Sequence, residues 1–376
     1  MNGPTERTVA QVTVTAPVRI ADVGGWTDTW FARTGAVCHL GVGPGVTVHA
    51  ALHDGAPGGR PVRLIAPDLD EDYPIGPSPS TGWDDPEPGR HPLLEHAVAS
   101  VCRRFAPAGP VTVMISSAVP PGASLGTSAS VVVAVITALE ALAADDTDPT
   151  RDTTLSDSDR KRIAQAAHRV ETIAAGRESG VQDQHAAAFG GAQLIEMIEY
   201  PMSRRTPIDV DDTFRTRLNE ATVTVVLGAH DSSSVHAAVI EAIITESPAG
   251  IRRRAALDDL RDLAEQAAVA LRAADLEAWA VTLTEATRAQ QRLHDDLIGP
   301  GHRAVIELAR TCGARGWKVN GAGGDGGSVT MVFADPSDGA RFTDRVDARH
   351  PAWTAHHLGL HPGVEVRRGP WSHALV

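Results

Sequence analysis

The stretch Pro120 to Ser130, Pro-Pro-Gly-Ala-Ser-Leu-Gly-Thr-Ser-Ala-Ser, runs without a break into Val131 to Leu139, an apolar segment whose only polar residue is Thr137. Small residues let successive backbone N–H groups turn toward one centre without Cβ crowding. The helix that follows adds its free first-turn amides and the positive end of its dipole. Such a segment is built as an anion cradle, and a polyphosphate fits it. The extended run Val111 to Ser116 lies just upstream, so the context is strand, loop, helix. The Gly-Lys-Ser/Thr ending of a Walker loop is missing and no lysine lies in the segment, so a phosphate bound here needs cations from elsewhere.

The 376 residues suffice for two ordinary domains, each with its own core. A net charge of −13 argues against a nucleic-acid surface, which depends on clustered Lys and Arg. Arg252-Arg253-Arg254 is read as a solvated helix face. No run of about 18 uncharged apolar residues is present to span a bilayer, and Met1 to Arg7 lacks the pattern of a secretion signal. Three scattered cysteines, Cys38, Cys102 and Cys312, fit neither a disulfide framework nor a Cys-rich metal site, so a cytoplasmic location is expected. His39, His185 and His356-His357 show no zinc-type spacing.

Periodicity predicts strands over 9–15, 45–52, 111–116 and 222–227. It predicts helices over 93–105, 131–139 and 158–175, and several more between 234 and 313. Residues 66–92, dense in Pro, Gly, Asp and Ser, read as an irregular surface excursion, and 145–158 as a loop without regular structure. Trp317 to Phe333 reads as strand, glycine turn, strand. Tyr200-Pro201 breaks an alternating stretch, and a domain change is expected there, giving domains 1–200 and 201–376.

Four islands carry polar residues suited to chemistry. In Ala16 to Asp28, Arg19 near a strand end can clamp an anion, and Asp28 beyond Gly24-Gly25 can accept two hydrogen bonds from vicinal hydroxyls. A tight turn with a surface Arg and an Asx-type Asp accounts for the same residues. In the phosphate loop 120–130, Thr127 and Ser128 can cap the helix or ligate Mg²⁺. Glu171 and Asp183 can converge, one on a metal and one on a hydroxyl, or serve as a solvated Glu and a helix cap. Five glycines between Gly321 and Gly327 are costly in entropy unless a backbone or a ligand must approach closely.

Together and in this order the islands resemble the GHMP kinase superfamily of galactokinase, homoserine kinase, mevalonate kinase and phosphomevalonate kinase. Ala16 to Asp28 is similar to the first motif, Pro120 to Ala129 to the phosphate loop, and Gly321 to Gly327 to the third motif. Ser124 stands where that family usually has Gly, and Thr127 where it usually has Ser. The resemblance implies a two-domain α+β fold, an N-terminal ribosomal-protein-like domain and a C-terminal ferredoxin-like domain, with the active site between them. It implies ATP held by Pro121, Gly122, Ala123, Ser124, Leu125, Gly126, Thr127 and Ser128, with Mg²⁺ on Ser128 and Glu171. Asp183 then faces the substrate hydroxyl, and Arg19 supplies the missing cation.

Gly24-Gly25-Trp26-Thr27-Asp28-Thr29 is similar to the Gly-Gly-x-Thr-Asp signature of heptose-phosphate kinases and the kinase part of fucokinases. The implied substrate residues are Gly25, Trp26, Thr27, Asp28, His39, Gly323 and Gly324. The expected activity is transfer of the ATP γ-phosphoryl group to a hydroxyl of a heptose, deoxyhexose or similar small molecule, the anomeric hydroxyl included. Alternatives are a sugar-phosphate or cyclitol-phosphate kinase, with Arg33, Arg177 or Arg204 in a basic pocket, and a sensor that kept the fold without catalysis. A monomer or homodimer without nucleic-acid or membrane partners is implied.

Overall fold

A computed structural model describes residues 7–55, 62–105, 107–144, 154–229, 233–245 and 247–370. The elements up to residue 208 are β1 (Thr8–Val23), β2 (Gly35–His53), β3 (Val62–Ala66), β4 (Glu71–Ser78), β5 (Gly82–Glu87), α1 (Pro92–Cys102), β6 (Val111–Ser117), α2 (Thr127–Ala143), α3 (Asp157–Arg169), α4 (Gln182–Phe189), β7 (Gly191–Glu199) and β8 (Met202–Ile208). After them come α5 (Asp212–Ala221), β9 (Thr222–Gly228), α6 (Ser233–Ile244), α7 (Pro248–Arg272), α8 (Leu276–Leu293), α9 (Pro300–Thr311), β10 (Ala314–Val319), β11 (Gly327–Phe333), α10 (Pro336–Arg349), β12 (Thr354–His356), β13 (Gly359–Leu360) and β14 (Glu365–Arg368).

Two sheets organise the chain, which is mixed α+β. The larger runs β14-β1-β2-β6-β3-β4-β5, with β7 and β13 added along β2 and β8 along β7, and the smaller runs β10-β11-β9-β12. β1 alternates along Val12, Val14 and Ala16, which are buried with Val48, Ala50 and the apolar faces of α1 and α2. Its second half, Val18 to Val23, is buried on both faces and joins the core that α7 and α8 cover. A third core lies between the smaller sheet and α9 and α10, around Phe333 and Phe342. α2 is buried nearly all round, as its composition demands, and that burial offsets the poor helix propensity of its β-branched run Val131 to Val133.

The surface excursion expected over 66–92 is instead mostly sheet, β4 and β5. Tyr73 and Ile75 alternate into the core while Pro74 between them is exposed, so a period of two underlies a composition that reads as loop. β2 begins ten residues before its expected start. Gly41 and Gly45, which resemble breakers, sit where a Cβ would strike Gly190 and the Ala16 carbonyl, so they permit close packing rather than a turn. The predicted helix 93–105 ends at Cys102, and the one over 158–175 finishes in a π-helical turn, Val170–Ala174. Residues 145–153 of the expected loop lie outside the described residues, and Ser156 then caps α3 in a capping box with Asp159.

Residues 200 and 201 occupy the turn of the β7–β8 hairpin, and β13 and β14 return late in the chain to pair with β2 and β1. Among the described residues no helix is long and apolar enough to cross a membrane, and all three cysteines are free and buried.

Candidate active site

A cleft of about 1070 Å³ is walled by β1, the 122–128 loop, the 171–183 segment, α6 and the first residues of the glycine turn. β1 reaches it through an irregularity. Its register with β2 shifts between Ile20 and Val23, and Ala21 adopts a left-handed φ of 55°. Bulges of this kind re-aim side chains, and here Arg19 and Asp22 both line the cleft. Trp26 (φ 81°) and Ser124 (φ 58°) are left-handed as well, a concentration of backbone strain typical of functional sites. A left-handed Ser124 explains why glycine is the usual residue at that point of the resembling motif.

The phosphate loop is tied to β1 rather than hanging free. Arg19 N donates to Leu125 O at 2.8 Å, the Arg19 guanidinium donates to Ser124 O, and Ser130 Oγ donates to Pro17 O at 2.6 Å. Gly126 precedes α2 at φ 73°, where a Cβ would lie 3.1 Å from the Asp183 carboxyl carbon. The first-turn amides of α2 have no helical carbonyl to bond, no side chain caps them, and Thr127 Oγ1 is buried without a partner among the described residues. Orphaned donors around a cradle of small residues fit a bound phosphate chain.

Asp183 sits in the first turn of α4 and receives Arg19 Nε at 2.8 Å and Nη2 at 3.4 Å. Arg19 is 4 % exposed. Burial opposes its charge, but Asp183 and Asp22 together hold its pKa above the ordinary value. Glu171 lies in the π-helical turn, buried, and takes hydrogen bonds from Gln184 and Ser128. Burial pushes its carboxyl pKa up. Among the described residues no group of three or more His, Cys, Asp or Glu is placed to hold a metal alone. The donor set, one carboxylate and one hydroxyl beside a phosphate cradle, suits Mg²⁺, which is commonly held by one or two carboxylates and substrate phosphates.

Asp28 lines the same cleft as Asp183. It accepts Gln182 N at 2.9 Å and fills the space a Cβ at Gly180 would need. Burial raises its pKa from the ordinary 3.8 to about 6, against the pull of the Gln182 amide. Trp26 lines the cleft beside Phe31, its ring edge-on to His236 at 4.8 Å. Ile240 and Ile244 of α6 complete an apolar wall that no sequence motif marked. Trp30 Nε1 donates to Glu178 Oε2 at 2.6 Å.

Several sequence candidates lie elsewhere. Thr27 is buried, bonded to the Gly24 and Ala36 carbonyls, and shapes the turn. Gly25 backs onto Asp22, and Pro121 stands outside the cleft lining. His39 is 1 % exposed between β1 and β7, with no hydrogen-bond partner among the described residues; burial first, then Arg19, lowers its pKa to about 3. Gly321 and Ala322 line the cleft, but Gly323 and Gly324 do not: Gly323 packs on Leu297 O and Gly324 N donates to the same carbonyl at 3.0 Å. Of the three arginines named for a basic pocket, Arg177 lines the cleft, Arg204 pairs with Glu196, and Arg33 lies outside the lining.

Residues 92–191, which hold the phosphate loop, Glu171 and Asp183, match the family model described as the GHMP kinases N terminal domain. The chain is 29% identical to a mevalonate kinase of Pyrococcus abyssi over 62% of its own length and 63% of the relative's, and 31% identical to a mevalonate kinase of Thermococcus onnurineus over 57% and 58%. It thus spans under two thirds of the curated relatives it matches. A crystal structure of a D-glycero-D-manno-heptose 1-phosphate kinase from Bacteriodes thetaiotaomicron superposes with a TM-score of 0.68 at 18% identity, over 96% of this chain and 100% of that one. The class is defined by one domain and by the fold: residues 92–191 match the GHMP kinases N terminal domain, and over nearly the whole chain the fold is similar to that of the heptose 1-phosphate kinase. In sequence the chain is similar to mevalonate kinases, and in fold to a heptose 1-phosphate kinase and to mevalonate kinases alike.

Proposed function

We propose that this protein is an ATP-dependent kinase that phosphorylates a hydroxyl of an uncharged, sugar-like or cyclitol-like acceptor. The observation that carries this reading is the Arg19–Asp183 pair, with Nε 2.8 Å from Oδ1, set between the orphaned amides of α2 and the hydroxyl-accepting Asp28. The loop amides from Gly122 to Ser128 hold the β- and γ-phosphates. Ser128 and Glu171 hold Mg²⁺, which when bound offsets charge on those phosphates. Asp183 orients the acceptor hydroxyl and takes its proton as the new O–P bond forms and the bond to the β-phosphate breaks. Arg19 fixes the Asp183 rotamer and presents positive charge to the transferring group.

The charge of the cleft supports an uncharged acceptor over a sugar phosphate or mevalonate, which carries a carboxylate. Among the described lining residues six are acidic (Asp22, Asp28, Glu171, Glu178, Asp183, Glu241) and two basic. Arg19 is engaged by Asp183, which leaves Arg177 as the cation for a second anionic group. Arg177 is the observation that favours the sugar-phosphate reading. A coupled ADP-release screen over free hexoses, deoxyhexoses, heptoses, cyclitols, heptose phosphates and mevalonate decides between them. Turnover with free sugars or cyclitols is expected. Turnover confined to the anionic compounds would transfer the assignment to them, and ATP binding with silence across the panel would favour a sensor.

A pH dependence follows from Asp28. Its ionised carboxylate accepts hydroxyl hydrogen bonds on both oxygens, whereas protonation turns one oxygen into a donor, and burial, helped by the neighbouring Asp183, favours the protonated form. Acceptor kcat/KM is therefore expected to fall as pH drops through about 6, with ATP affinity unchanged. Asp28→Asn is expected to remove that limb. Because the folded pKa is raised, the same group costs stability as pH rises from about 4 to about 6. A parent profile flat through this range would exclude Asp28 from the acceptor contact.

A further inference from the structure

Asp22 of β1 and Lys318 of β10 form an ion pair, Nζ 3.7 Å from Oδ1, with side chains 0% and 2% exposed. Neither residue belongs to the phosphate loop, the metal pair or the acceptor carboxylates. Asp22 accepts Gly321 N at 3.0 Å and 3.2 Å on its two oxygens. Lys318 Nζ donates to Gln290 Oε1 at 2.8 Å and to the Val319 carbonyl, and Gln290 Nε2 donates to Gly321 O at 3.0 Å. Gly321 is therefore held at both its N–H and its carbonyl. Next to it, Asn320 Oδ1 accepts Ala21 N at 2.9 Å, which fixes the strained bulge of β1. A Cβ at Gly321 would lie 3.1 Å from Arg19 Nη2 and from Ser124 O, so this residue abuts the floor of the phosphate cradle.

We propose that the Asp22–Lys318 pair is a positioning device: it holds Gly321 against Arg19 and Ser124 and so sets the width of the cleft where the triphosphate lies. This rests on the kinase reading above. A buried ion pair is weak as a source of stability, since apolar residues of similar volume often serve as well. Its value lies in geometry, because one carboxylate between two buried cations and a backbone N–H accepts few arrangements. Removing Asp22 frees Gly321 N and leaves Arg19 with Asp183 as its remaining close carboxylate partner.

Two double variants separate positioning from packing. Asp22→Leu with Lys318→Met removes both charges and the acceptor for Gly321 N–H; Asp22→Asn with Lys318→Met removes both charges and keeps an acceptor. Melting temperature and the affinity for a fluorescent ATP analogue are measured for each beside the parent. Both are expected to melt near the parent, while each single change melts lower. The Leu/Met variant is expected to lose about 10- to 100-fold in ATP affinity, and the Asn/Met variant to regain most of it. Should either double variant fail to fold, amide exchange at Gly321 in the single variant Asp22→Asn, against the parent, reads the same contact. Equal ATP affinity in the parent and the Leu/Met variant, or unchanged exchange at Gly321, overturns the inference alone. A parent that binds no ATP overturns the kinase reading and this inference with it.

Discussion

Asp183→Asn is expected to bind ATP with nearly parental affinity and to release ADP about 10²- to 10⁴-fold more slowly, the range for loss of a positioned acid or base. The asymmetry follows from where Asp183 lies. It faces the cleft with its side chain 23% exposed, bonded to Arg19, while the groups expected to hold the phosphates are amides of another segment. Asn is isosteric and keeps one oxygen for Arg19 Nε, so the loop anchored by the Arg19 backbone and guanidinium should stay in place. Single-turnover kinetics with saturating ATP isolates the chemical step. Parental turnover in this variant would remove Asp183 from the reaction.

The second large effect is expected at Gly126, which abuts both Asp183 and Arg19. Gly126→Val places a β-branched side chain at φ 73°, with its Cβ 3.1 Å from the Asp183 carboxyl carbon and 3.3 Å from Arg19 Cγ. The left-handed backbone alone costs of order 1–3 kcal/mol in a non-glycine residue, and the side chain must displace either Asp183 or the loop. Loss of both turnover and ATP binding is expected, with a lowered melting temperature. An ATP affinity within a few-fold of the parent would show that the phosphates lie elsewhere in the cleft. Gly126→Ala, which adds the same Cβ without branching, should fall between the two.

What the sequence disclosed depended on how local each signal is. The phosphate loop and α2 are contiguous, so their chemistry is written in eleven residues, and Arg19, Glu171 and Asp183 could be added because motif order links them. Asp22 and Lys318 were not legible. An aspartate inside a strand and a lysine near a glycine turn carry no mutual pattern, and only the docking of β1 beside β10 pairs them. The apolar wall from α6 was hidden for another reason, since Ile240 and Ile244 follow ordinary helical spacing. His39 is the opposite case: a polar residue near a motif suggested the pocket, whereas this half of β2 is buried on both faces and His39 lies in the core. In β4, the density of proline and glycine outweighed the inward alternation of Tyr73 and Ile75.

The return of β13 to the first sheet bears on how the two sheets are held together. The chain leaves the larger sheet after β8, through α5, and comes back through the two residues between β12 and β13. These crossings touch: Asn219 of α5 accepts Leu360 N at 3.0 Å, and Gly359 packs on the same side chain. Two adjacent covalent crossings, joined by that hydrogen bond, tether the sheets at one edge, and the core under α7 and α8 runs between them. Asp22 and Gly321 join the same sheets again from the cleft side, so the walls of the cleft are fastened at two separate places rather than one.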